Sequence, residues 1–171
     1  MKNLYQKINL PTIVVSVLTL LGSGAALAQQ ASLLGGKPNV QVTLTASTLR
    51  QGQPVPVDKA GMLMPGESIN WTITSANEGT GQAANYSVVG QVPSGTAFVA
   101  NSAKADGANI TFSIDGGKSF SNQPTIEQRE ADGSTKRVAA PVSSYTQVRY
   151  QWQNPLSAGQ RVSAFYQVRV K

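Results

Sequence analysis

The chain contains no cysteine and no histidine. Without cysteine there is no disulfide framework, no thiol nucleophile and no thiolate ligand for zinc or an iron–sulfur cluster. Without histidine the commonest general base and metal ligand is missing, so Ser-His-Asp and Cys-His catalysis are excluded and only carboxylate, Lys or Tyr chemistry remains. Charge is also scarce: charged side chains make up 13% of the residues and only 8 are Asp or Glu, few for acid–base work. The one close carboxylate pair, Glu127 and Glu130, stands in a polar stretch with nothing to set one apart as acid and the other as base. The expectation is a protein that is not an enzyme and needs no cofactor or metal. Long apolar runs are absent after the first stretch, so no downstream segment is expected to span a membrane.

That first stretch has the three parts of an export signal. Lys2 and Lys7 form a basic start, Ile13 to Leu21 an apolar run, and Ala26-Leu27-Ala28 a small-residue cleavage site of bacterial type, with cleavage after Ala28. Ser16, Thr19 and Gly22 interrupt the run below the ~20 apolar residues an anchor requires. The expected organisation is a signal peptide over 1–28, a flexible lead-in over 29–38 and one domain over 39–171. Loss of Lys2 and Lys7 leaves 14 − 2 = 12 basic against 8 acidic residues, a net charge of +4. This modest excess suits a solvated surface or an anionic partner. Export and the lack of interleaved aromatics argue against nucleic acid. The expected address is secreted, periplasmic or cell-surface.

What is abundant is strand and turn chemistry. Period-two alternation of apolar and polar residues marks strands at Val40-Val42-Leu44, Ile69-Trp71-Ile73, Ile110-Phe112-Ile114, Val148-Tyr150-Trp152 and Val162-Ala164-Tyr166-Val168-Val170. Shorter strands are read around Tyr86 to Val92 and Thr96 to Ala100. Pro65-Gly66, Asn77-Glu78-Gly79-Thr80-Gly81, Pro93-Ser94-Gly95, Asp106-Gly107, Asp115-Gly116-Gly117 and Pro155 to Gly159 punctuate them as turns. The stretch from Pro65 to Ser102 reads as a β-hairpin and its exit. Pro54 and Pro56 confine their segment to an edge strand or loop. Met62 and Met64 read as core or edge filler. Strands at this spacing predict an all-β sandwich of two antiparallel sheets with about seven strands. Trp71, Ile73, Tyr86, Val88, Phe112, Val148, Tyr150, Val162 and Tyr166 are the expected core.

Candidate binding residues are basic. Asn122 to Ser144 is expected to be a solvated excursion, a short hairpin or a binding loop, and it carries Arg129, Lys136 and Arg137. On the last strand Arg161, Phe165 and Arg169 share the outward face; with Arg149 they are read as a basic stripe around one exposed aromatic, suited to an acidic glycan or a protein partner. Asp115-Gly116-Gly117 lacks the acidic spacing of a calcium loop. The triplets at Asn70, Asn85 and Asn109 match the glycosylation pattern but carry no weight in a bacterial chain.

Taken in order, Pro65-Gly66-Glu67, Trp71-Thr72-Ile73, Asn77-Glu78-Gly79, Val92-Pro93-Ser94-Gly95-Thr96 and Asn101-Ser102 resemble the bacterial conserved repeat domain of unknown function eleven. The resemblance continues through Phe112 to Lys118, Val148-Arg149-Tyr150 and Leu156 to Gln160. It implies an immunoglobulin-like β-sandwich in exported or envelope proteins with structural, adhesive or assembly roles. The chain departs from the family pattern at Gly90, where an Asp usually stands, and keeps one copy where many relatives carry arrays. The leading expectation is a non-enzymatic envelope or extracellular module acting by binding or assembly, including self-association in which Gln29 to Leu49 pairs with the sheet of the next subunit. The alternative is a carbohydrate-binding module for envelope or extracellular polysaccharide, which would need Trp71 and Trp152 exposed on one sheet face.

Overall fold

The structure, a computed structural model, describes residues 36–171. The expected signal peptide with its cleavage site at Ala28, and the lead-in up to residue 35, lie outside the described residues. Ten strands follow one another: β1 (Val40–Arg50), β2 (Gln53–Pro56), β3 (Ser68–Asn77), β4 (Ser87–Gln91), β5 (Thr96–Phe98), β6 (Ala108–Ser113), β7 (Thr125–Arg129), β8 (Thr135–Ala139), β9 (Gln147–Trp152) and β10 (Arg161–Val170). The described residues contain short 3-10 turns but no helix long and apolar enough to cross a membrane. The all-β expectation holds. All pairings are antiparallel, in a five-stranded sheet ordered β2-β1-β3-β10-β5, a three-stranded sheet ordered β4-β9-β6, and a separate β7-β8 hairpin.

The two larger sheets face one another across one core in a β-sandwich-like arrangement. Period-two alternation is strictest in β3, where Ile69, Trp71, Ile73, Ser75 and Asn77 are all buried and their neighbours are not. Val148, Tyr150 and Trp152 of β9 meet them from above, and Ala164, Tyr166, Val168 and Val170 of β10 complete the layer. Burial of each large side chain contributes roughly 1.5–3 kcal/mol. Three tyrosine hydroxyls then tie sheet to sheet. Tyr86 donates to the Ser75 hydroxyl (2.7 Å), Tyr150 to the Phe165 carbonyl (2.6 Å) and Tyr166 to the Gln91 carbonyl (2.7 Å). Burial raises the pKa of all three phenols, so they stay neutral donors.

The hairpin expected between Ser68 and Val92 does not form. β3 pairs with β1 and β10, whereas β4 pairs with β9 in the other sheet, so Glu78 to Tyr86 is a crossover between sheets. A buried amide holds that crossover. Asn77 donates from Nδ2 to the Gly81 and Leu156 carbonyls (2.7 and 2.9 Å) and accepts at Oδ1 from the Asn39 and Gly79 N–H groups (3.0 and 3.1 Å). Its polar atoms are therefore satisfied, as burial requires. A side chain at Gly79 would strike the Lys37 carbonyl, which explains the Asn-x-Gly spacing in physical terms.

Other turn residues also acquire reasons. Glu67 of Pro65-Gly66-Glu67 forms a forked ion pair with Arg50 and accepts from the Met64 N–H (2.8 Å). These contacts, the Arg50 hydrogen bond foremost, lower its pKa. Asp115 accepts from the Ser119 and Ser113 hydroxyls (2.6 and 2.7 Å), so the Asp-Gly-Gly turn uses its carboxylate internally, and those bonds lower its pKa. Gly90 is buried beneath the Tyr166 ring, and an added Cβ would lie 2.5 Å from Cε1; no side chain fits where the family pattern has Asp.

Of the expected core, Trp71, Ile73, Val148, Tyr150 and Tyr166 are buried, while Tyr86, Val88, Phe112 and Val162 pack against it partly buried. Ile69, Phe98, Trp152, Leu156, Val168 and Val170 join it. Met62 and Met64 are exposed, not filler, because the loop that carries them lies outside both sheets.

Candidate functional site

Two features of the surface stand out: an open side at β1 and β4, and a cleft at the start of β10.

On the open side, register places Val42 opposite Ser75, Leu44 opposite Ile73 and Ala46 opposite Trp71, so these β1 side chains share the inward face. Ser75, Ile73 and Trp71 are buried, yet Val42 and Leu44 are 42% and 39% exposed. The second sheet ends at β4, so it stops short of β1 and leaves those apolar groups uncovered. Among the described residues the strand edges on this side are unpaired too. β2 pairs only with Ser47 to Arg50, leaving the outer edge of Val40 to Ala46 unpaired, and β4 pairs with β9 alone. Because the Glu78 N–H bonds the Asn39 carbonyl (2.8 Å), the antiparallel pattern gives the odd residues of β1 to β3 and points the N–H and C=O groups of Val40, Val42 and Leu44 outward. That edge carries no charge and no proline, the usual guards against strand addition.

The opposite side is closed. The Phe112 N–H and C=O exchange hydrogen bonds with Ser121 along the β6 edge, and the Ala140 N–H bonds the Pro124 carbonyl at the base of the hairpin. The rings of Phe98, Phe112 and Tyr145 cluster beneath, with centroids 4.8–5.8 Å apart.

The candidate binding residues separate into three groups. Arg129 lies on β7, and Lys136 and Arg137 on β8, in the exposed hairpin, where Arg137 stands across from Glu127 and Lys136 from Gln128. Asn122 to Ser144 is thus a hairpin arm, one of the expected forms. Arg149 is on the outer face of the three-stranded sheet. Its Nε donates to Thr111 Oγ1 (3.2 Å) and its guanidinium sits 4.4 Å over the Phe120 ring. Arg161, Phe165 and Arg169 lie on the outer face of the five-stranded sheet. The stripe that joined Arg149 to them is corrected by this placement: alternation assigns a face within a sheet, and β9 and β10 belong to different sheets with opposite outer faces.

Arg161 and Phe165 nonetheless meet other groups that their strand alone does not suggest. A cleft of about 660 Å³ at the start of β10 is lined by both, together with Lys104, Asp106, Asn154 and Gln160. Lys104 is brought there by a bridge to Phe165, with N–H···O bonds of 2.8 and 2.9 Å. Asp106 is fixed by the Trp152 indole N–H, which donates to its carbonyl (3.0 Å). Reading the sequence missed Lys104, Asp106, Asn154 and Gln160 because each sits in a connection between the named strands, and no local period links connections from distant stretches. Trp71 and Trp152, 5% and 7% exposed, are core residues and offer no sugar-binding platform. No family model, curated protein or solved structure matches this chain.

Proposed function

We propose that the chain is an exported, non-enzymatic module of the cell envelope or extracellular space, built as an immunoglobulin-like β-sandwich, that works by assembly with further copies of itself through the open edge of β1. The observation that carries this reading is the uncovered, uncharged edge from Val40 to Ala46. Its register is self-complementary: in an antiparallel pair centred on Thr43, the outward-bonding Val42 meets Leu44 of a second copy, and Val40 meets Ala46. The apolar face then lies against an apolar face, while Thr43 and the Gln41–Thr45 pair meet on the polar face, and no like charges are opposed. The segment expected to donate to a neighbour is thereby redefined. Val40 to Leu49 already belongs to β1 of its own sheet, so it offers an edge rather than a loose strand. The signal-type leader and the resemblance to the conserved repeat family support export and the immunoglobulin-like assignment.

Val42→Lys tests the reading, because it puts a charge on the edge without removing a β1–β3 hydrogen bond. Sedimentation over rising concentration should show self-association of the wild-type chain and a monomer for the variant, with unchanged thermal unfolding. A wild-type chain that stays monomeric at the highest attainable concentration would refute it.

A further inference from the structure

Independently of assembly at β1, we propose that the cleft at the start of β10 binds an anionic polysaccharide, one bearing uronate carboxylates or sulfate esters. The volume, about 660 Å³, falls in the range of small-ligand sites. Phe165 lies at its rim, 45% exposed and in mid-strand, and no other Phe, Tyr or Trp among the described residues is as open to solvent. An aromatic ring left in water at a rigid strand centre offers a flat, electron-rich face, to which the C–H side of a sugar ring is complementary. Arg161 shares that face four residues earlier, roughly 13 Å away along the strand. Lys104 lies across the bridge from Phe165.

The only ion pair among the described residues joins Arg50 and Glu67, so Lys104 and Arg161 face the cleft without an ionic partner. Guanidinium binds carboxylate and sulfate in a fork, and ammonium binds either as a point charge. The remaining polar groups, Asn154, Gln160 and the Asp106 carboxylate, match sugar hydroxyls, which both donate and accept. Asp106 also disfavours a ligand that is nothing but dense negative charge. Anions spaced along a hydroxylated chain therefore fit this set better than an acidic peptide or a nucleic acid does. The site stands on β10, which is paired with β3 from Arg161 to Arg169 and bridged at Phe165 to Lys104, so the groups on that strand and bridge are held in place before a ligand arrives.

Calorimetric titration of the purified protein with oligogalacturonate, a dextran sulfate fragment and uncharged dextran tests the proposal. One or both anionic glycans should bind and dextran should not; which anion binds assigns carboxylate or sulfate. Phe165→Ala should weaken binding about tenfold with its salt dependence retained, and Phe165→Tyr should restore it. Arg161→Gln should weaken binding about tenfold and flatten the salt dependence. Arg149→Gln, on the opposite outer face, should change nothing. The proposal is overturned if neither anionic glycan binds, if Arg149→Gln weakens binding as much as Arg161→Gln, or if polyaspartate or single-stranded DNA of equal charge competes as strongly as the glycan.

Discussion

The two sides of this molecule are made from similar sequence and end in opposite states. At the closed side β5 and β6 carry Phe98 and Phe112 inward, Tyr145 packs against both, and the chain around Ser121 pairs with the β6 edge. At the open side β1 carries Val42 and Leu44 inward by the same alternation, and among the described residues neither a sheet nor a strand covers them. The difference lies in the count of strands, five facing three. An inward direction is a property of the strand, whereas burial is a property of what lies opposite. The open side is therefore where assembly is proposed, and the closed side is where stability is concentrated.

The contrast can be measured directly. Phe98→Ala removes a ring that contacts three others and should cost ~3–5 kcal/mol in urea unfolding, whereas Leu44→Ala should cost under about 1 kcal/mol in dilute, monomeric protein. Equal losses would mean that β1 is covered in solution. Gly90→Ala probes how tightly β4 is held at the open side. Its methyl group must displace the Tyr166 ring, so a loss of ~1–3 kcal/mol is expected by the same measurement, and no loss would show that β4 rides loosely.

The smallest effect concerns pH. The folded pKa of Glu67 is lowered, chiefly by its hydrogen bond from Arg50, so its contribution is present above the ordinary carboxylate range and disappears as pH falls through the lowered value. Glu67→Gln should therefore lower stability at pH 7 by no more than about 1 kcal/mol, and the difference should shrink as the pH is lowered below the ordinary carboxylate range. Paired melting curves of the two proteins over that pH range check this. The pair fixes Arg50, at the end of β1 where β2 protects the edge, so removing it should leave the closed side unaffected.

Much of the architecture was legible in the residues. Strand positions follow from alternation at Ile69-Trp71-Ile73 and Val162 to Val170, and turns from Asn, Gly and Pro, because both are local properties of backbone and side chain. Pro54 and Pro56 announced an edge strand or a loop for the same reason, and β2 is an edge strand. Partner choice was not legible. Backbone N–H and C=O groups are the same in every strand, so nothing in β3 and β4 says that they cross between sheets rather than pair. The buried Asn77 amide says it, but its four bonds reach Asn39, Gly79, Gly81 and Leu156, and such a set exists only once the chain is folded. The same holds for the candidate surfaces. The residues around Phe165 showed which way each side chain of β10 points. The meeting of Lys104, Asp106 and Asn154 with Arg161, the departure of Arg149 to the far face, and the bare flank of β1 arose from how the sheets pair and how far each extends. Direction along a strand is set by neighbouring residues, while coverage and convergence are set by strands distant in sequence.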